Sequence, residues 1–128
     1  MKTIKCKLEK ICLLALCSLL SIHHSVNAQY NYFAGTSAGA GNNSLYTSAI
    51  GYQALSSGNT GISNLAVGYW SLKANTTGYH NCAIGNGSMQ YNTTGFGNTS
   101  LGTVSLVHLT TGYRNTAVGN FSLWSTEA

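Results

Sequence analysis

The side chains able to do acid–base, nucleophilic or metal chemistry are few and badly assorted. The sequence holds no Asp, and beyond Ala28 its one Glu is Glu127. Glycoside hydrolysis has no carboxylate pair to work with. A Ser-His-Asp triad has no acid, and a calcium loop has no carboxylate ligands. His80 and Cys82 are the one suggestive couple. Two residues apart on an expected strand, they share a face, and a thiolate beside an imidazole is a usable nucleophile. Asn81 points to the other side, so nothing orients the imidazole. The plainer reading makes Cys82 a small filler in the column it shares with Leu65, Thr99 and Thr116. His80, in the column of Ser63, Gly97 and Arg114, then faces solvent. No catalytic residue, cofactor or metal is expected, and the chain reads as something other than an enzyme.

Other motifs weaken on inspection. Gly35, Gly39 and Gly41 could cradle a phosphate, but the flanking strand, helix and lysine of such a loop are missing. Asn-x-Ser/Thr triplets at Asn42, Asn75, Asn86, Asn92, Asn98 and Asn120 reflect turn composition in a chain this rich in Asn and Thr. Thr76, Thr93 and Thr110 sit beside Thr77, Thr94 and Thr111. Ice-ordering solenoids alternate threonines across a strand face, whereas these are adjacent and lead into glycine, as a turn does.

Composition and charge narrow the frame that must hold these residues. A chain of 128 residues allows one modest domain. With 6% charged and 44% hydrophobic residues it is too apolar for a disordered tail and too poor in Glu, Lys and Arg for a helical domain. Its 15 Gly, with abundant Asn, Ser and Thr and no Pro, suit stacked strands and tight turns. The net charge of +4 is concentrated at the start: Lys2, Lys5, Lys7 and Lys10 against Glu9 leave +3, and Lys73, Arg114 and Glu127 add +1. The basic signal is therefore that of a targeting segment, and no nucleic-acid surface is expected.

That segment has a positive start, an apolar run from Ile11 to Ile22 and a small-residue site at Val26-Asn27-Ala28. Residues 1–28 are read as a signal peptide cleaved between Ala28 and Gln29. The rival, a lipoprotein signal at Cys17, wants a small residue where Leu16 stands. The apolar run is short for a bilayer, so no membrane span is expected after cleavage. Cys6, Cys12 and Cys17 leave with the leader. Cys82 then remains alone, with no internal disulfide to form.

A repeat decides the architecture. Gly51, Gly68, Gly85, Gly102 and Gly119 recur at every seventeenth position, and Gly61, Gly78, Gly95 and Gly112 keep the same interval. Matched columns run between them. Ile50, Val67, Ile84, Leu101 and Val118 precede the first glycines, and Leu55, Leu72, Met89, Leu106 and Leu123 follow them by four. Ala54 is succeeded by Ser71, Ser88, Ser105 and Ser122. Asn64, Asn81, Asn98 and Asn115 form an amide column, and Thr60, Thr77, Thr94 and Thr111 a threonine column. Ile62, Tyr79, Phe96 and Tyr113 form an apolar one. Helical repeats need about 33 residues and leucine-rich ones about 20 to 29, so a unit this short holds only brief strands and turns. The fold class is all-β, a parallel β-solenoid whose like side chains stack about 4.8 Å apart, five coils making a rod of about 24 Å. The domains follow. Residues 29–48 are a degenerate first repeat or cap, in which Gly35 stands one position too close to Gly51, and residues 49–128 are the regular coils.

Gly68 and Gly78 are expected where the chain bends sharply or takes positive φ. Ala66, Val67 and Leu72 represent the columns enclosed by so small a coil. Tyr69, Trp70, Tyr79, Tyr91 and Phe121 cannot all be inside, and an exposed apolar stripe marks an interface. A homo-oligomer, most simply a trimer about a three-fold axis, is the expected assembly.

At Asn81-Cys82-Ala83-Ile84-Gly85, Asn98-Thr99-Ser100-Leu101-Gly102 and Asn115-Thr116-Ala117-Val118-Gly119 the chain resembles the head repeats of YadA-like trimeric autotransporter adhesins. Asn75-Thr76-Thr77-Gly78-Tyr79 and Asn92-Thr93-Thr94-Gly95-Phe96 look like the spacers of bacterial surface and phage tail-fibre proteins. The resemblance covers residues 32–128, from the degenerate unit Tyr32-Phe33-Ala34-Gly35 onward. It implies a left-handed parallel β-roll in a trimer, exposed on the outer surface of a Gram-negative bacterium. Head repeats in that family are often shorter than this one, so the cross-section departs from it. The sequence stops at Glu127-Ala128 partway into a repeat without reaching a stalk or barrel, so a fragment, a decayed copy or a part that docks on a longer protein is expected. The expected function is attachment to a host-surface, matrix or glycan ligand, with Tyr79, Phe96 and Tyr113 as candidate contacts. The alternative is a fibre shaft with no ligand of its own.

Overall fold

The computed structural model describes residues 31–125. The expected signal peptide with its Ala28/Gln29 site, and Glu127 near the other end, lie outside the described residues. Six strands form one parallel sheet in sequence order: β1 Tyr32–Ala34, β2 Ser48–Ile50, β3 Leu65–Val67, β4 Cys82–Ile84, β5 Thr99–Leu101 and β6 Thr116–Val118. Each strand pairs with the next in a register equal to the glycine interval, Leu65 on Cys82 and Cys82 on Thr99. The first step alone is one residue shorter, Tyr32 on Ser48. The described chain is thus an all-β solenoid of about five turns, as the glycine spacing predicts.

One residue of each regular strand points inward. Ala49, Ala66, Ala83, Ser100 and Ala117 are buried along the axis, and the residues on either side face out. Across the coil from these small residues lie Leu55, Leu72, Met89 and Leu106, each fully buried. Those four side chains have φ of 48° to 51°, in the left-handed region that a branched residue avoids. Such a conformation costs roughly 1–2 kcal/mol, and burying a Leu or Met returns about as much or more. The apolar column therefore stands where the chain must turn most sharply, and its burial supports the turn.

The two glycine series answer to different constraints. Gly51, Gly68, Gly85, Gly102 and Gly119 all have φ between 121° and 146°, where an L side chain is strained. Of the two alternatives expected for Gly78, positive φ does not hold for it or its series. Their constraint is crowding. A Cβ on Gly61, Gly78 or Gly95 would collide with the carbonyl of the glycine one coil on, and at Gly78 and Gly95 with an asparagine side chain too.

That asparagine belongs to the other half of the core. Asn64, Asn81 and Asn98 are buried, and each accepts the backbone N–H of the next column member through its side-chain oxygen, at 2.9–3.0 Å. Their amide nitrogens donate to the carbonyls of Gly78, Gly95 and Gly112 at 2.8 Å. Thr47 and Asn31 continue the column toward the first coil, Thr47 N–H donating to Asn31 Oδ1. A second ladder runs beside it. Asn92 Nδ2 donates to Asn75 Oδ1 and Asn75 Nδ2 to Asn59 Oδ1, both at 2.6 Å. It stops because Leu109 takes the next place, leaving Asn92 Oδ1 buried without a hydrogen bond.

Two sequence expectations need correction. The sequence reading encloses Val67 with Ala66 and Leu72, but the column of Val67 faces outward, with Ile50, Leu101 and Val118 exposed. The buried places go instead to Asn, because an identical amide one coil away satisfies each one. The threonine column also slips. Thr60 donates through both its amide and its hydroxyl to the carbonyl of Thr76, not Thr77. The turn Asn59-Thr60-Gly61 is one residue shorter than Asn75-Thr76-Thr77-Gly78.

Candidate interaction surface

Chemistry-bearing side chains stay apart. His80 lies outside the strand, at φ 55°, and is exposed, while the half-buried Cys82 opens β4. The two are therefore not consecutive outward positions of one strand, as the sequence suggests. Ser63, Gly97 and Arg114, in the His80 column, share its left-handed backbone with φ of 55° to 66°. Among the described residues no three His, Cys, Asp or Glu side chains gather as metal ligands would. No helix there is long and apolar enough to cross a membrane. Lys73 and Arg114 are the charged residues described, and Lys73 Nζ lies 4.3 Å from the centre of the Trp70 ring.

What the surface does present is ordered apolar ladders. Tyr79 and Phe96 stack with ring centres 4.8 Å apart and planes 5° from parallel. Phe96 and Tyr113 stack at 5.2 Å and 7°. The column is outside the coil: Tyr79 and Tyr113 are exposed, Tyr113 by 61%, and Phe96 is half-buried between them. A parallel bridge joins Phe96 to Tyr113, so the column is held by backbone as well as by its rings. The stacking spends the ring faces on each other. What remains for a partner is the ring edges and tyrosine hydroxyls, together with the outer face of Tyr113 at the ladder's end. A sugar laid flat on a ring, the usual aromatic contact with a glycan, therefore has no free face in the middle of the ladder.

Two further aromatic clusters sit outside the predicted set. Tyr52 and Tyr69 stack at 5.2 Å, with Trp70 tilted against Tyr69 and its indole N–H donating to Gln53 Oε1 at 2.9 Å. Tyr91 stacks on His108, which meets Trp124 edge-on. Tyr52 and Tyr69, like Tyr91 and His108, are one period apart, so the repeat itself carried the signal. The outer side of the sheet adds the aliphatic ladder of Ile50, Val67, Ile84, Leu101 and Val118, the last exposed by 65%. The glycines named from the sequence line no site. They shape the stack that holds these ladders one rung apart. Comparison of the chain with family models, with curated proteins and with solved structures finds no match.

Proposed function

We propose that the protein is a non-catalytic module carried on the outer surface of a Gram-negative cell, similar to an adhesin head, which attaches through repeated weak contacts. The observation that carries this reading is the arrangement of polar and apolar columns. Amides that could bind water are buried, while Tyr79, Phe96 and Tyr113 and the Ile50–Val118 ladder stand outside in regular array. A protein whose surface is built from repeated apolar rungs is suited to partners that meet several rungs at once, where avidity compensates for weak single contacts.

The aliphatic ladder favours a homotrimer as the working form. Three copies meeting over Ile50, Val67, Ile84, Leu101 and Val118 would remove a contiguous apolar strip from water, and each side chain so covered contributes about 1 kcal/mol. Tyr79, Phe96 and Tyr113 would remain for the ligand, a host-surface protein, matrix component or glycan. No nucleic acid partner and no cofactor belong to this reading.

A second reading has its own support. Because the ring faces of the Tyr79 ladder are occupied by stacking, the column also suits pure scaffolding, as in a fibre shaft. Surface-immobilised matrix proteins and a glycan array, probed with the purified protein, separate the two. The adhesive reading expects saturable binding that falls about tenfold or more in the Tyr79→Ala/Tyr113→Ala variant. Absence of binding to every probe would leave the shaft.

A further inference from the structure

Asn86 is the one asparagine of this sequence that precedes a glycine. Its side chain is exposed and forms no hydrogen bond among the described residues, whereas the amides of Asn64, Asn81 and Asn98 are buried and bonded. A glycine in that place matters chemically. With no Cβ in the way, its nitrogen can reach the asparagine Cγ and close a five-membered imide. Asn120, in the same column and also exposed, is followed by Phe121, whose φ of 56° is close to the 62° of Gly87. The two sites therefore share a backbone and differ in the group that must admit the attack.

The peptide group between Asn86 and Gly87 is held from both sides. Its N–H donates to the Tyr69 carbonyl of the preceding coil at 2.8 Å, and its carbonyl accepts the Val104 N–H of the following coil at 2.8 Å. Ser88 N–H donates to the Gly85 carbonyl at 3.3 Å, closing the turn that has Asn86 and Gly87 at its centre. Ring closure requires the Gly87 nitrogen to give up its proton and the peptide plane to turn toward Cγ. The clamp opposes both.

We propose that Asn86-Gly87 is a latent modification site, closed while the coils are stacked and converted to aspartate or isoaspartate once they part. The Gly87 nitrogen attacks Cγ of Asn86 and a C–N bond forms. The side-chain nitrogen leaves as ammonia, taking the proton that the Gly87 amide gives up. Solvent water then opens the imide at either carbonyl. One product is aspartate, and the other is isoaspartate, whose main chain is longer by a carbon. In a stack whose rungs meet at a fixed interval, that extra length takes the bonds to Tyr69 and Val104 out of register. Each product also puts a carboxylate on a rod whose described residues carry no carboxylate side chain. A passing separation of neighbouring coils thereby becomes permanent in the middle of the stack. This inference is independent of any ligand and of lateral assembly.

The test is peptide mapping by mass spectrometry of the full chain, aged in mildly alkaline buffer either folded or in urea. Asn86 should convert about a hundredfold more slowly in the folded protein, where reaction waits for the coils to open. In urea Asn86 should outpace Asn120 severalfold, and Gly87→Ala should remove most of that lead. Chains converted to isoaspartate in urea and then refolded should lose hydrogen-exchange protection at the Gly87 and Val104 amides. Asn86→Asp adds the charge without the length and should keep both amides protected. Equal rates in the folded protein and in urea would overturn the clamp. Asn120 keeping pace with Asn86 in urea would overturn the assignment to this pair. Full protection of both amides in isoaspartyl chains, or equal loss in Asn86→Asp, would overturn the part given to chain length.

Discussion

Asn81 and Ile84 are near neighbours in the chain, and the solenoid places them against their hydropathy. Asn81 is buried among other amides, while Ile84 sits on the outer side of the sheet in a ladder with Ile50 and Leu101. In an irregular core a buried amide must find partners of unrelated origin. Here the partner is the same residue one coil away, so the requirement is met once and repeated. The contrast teaches that a coil this narrow divides its interior, one side selected for complementarity along the axis and the other, with Leu72 and Met89, for apolarity. The aliphatic column of Ile84 finds room on neither side and stands outside.

The strongest way to break the comparison is at the glycines that let the coils approach. Gly85→Ala is expected to cost about 4 kcal/mol or more, because its φ of 136° strains any side chain and the Cβ meets the Gly102 carbonyl. Gly87→Ala is the control. Its φ is 62°, a place where Gln53, Trp70, Val104 and Phe121 occur in other coils, and a Cβ there has room. Urea unfolding should show a loss of less than about 1 kcal/mol for this second variant.

Next in size is the amide column. Asn81→Ala leaves the buried N–H of Asn98 without its acceptor and the Gly95 carbonyl without one of its donors, a loss of about 3 kcal/mol. Asn81→Asp sharpens the same point through pH. The acid can replace the amide donor to Gly95 only when protonated, so burial and the carbonyl raise its folded pKa above the unfolded value of about 3.9. A raised folded pKa means that the stability gained by protonation is present below about pH 4 and is lost as pH rises. This variant should therefore be weakest, relative to the unsubstituted protein, near neutrality. A denaturation series from pH 3 to pH 7 reads the trend.

The smallest effect on folding is expected on the outer side. Leu101→Ser removes a half-exposed group and should cost a folded single chain about 1 kcal/mol or less. Mass measurement should nevertheless show a trimer falling apart. A large loss of single-chain stability with unchanged mass would place that ladder in a core instead.

Much of this was legible from spacing. The strand at Leu65–Val67, the coil length, the inward Ala66 and Leu72 and the positive φ of Gly68 all follow from columns that share the glycine period. Depth was not. Val67 and Asn64 flank Ala66 in the same short segment, and only the winding of the turn decides which of them is enclosed. The role of Gly78 was hidden for a related reason, since crowding by Asn75 and the next coil exists only after the coils stack. Of the candidate surface, Tyr79, Phe96 and Tyr113 were visible as a column, but that stacking consumes their faces was not.

Backbone and side-chain amide hydrogen exchange, resolved residue by residue, tests the buried amide ladder most directly. The N–H groups of Asn81 and Asn98 and their Nδ2 protons should exchange among the slowest in the protein, with protection falling toward both ends of the rod. If the Asn81 and Asn98 amides exchange as fast as those of exposed turns such as Thr77 or Thr94, the stacked coil is not the structure of this chain.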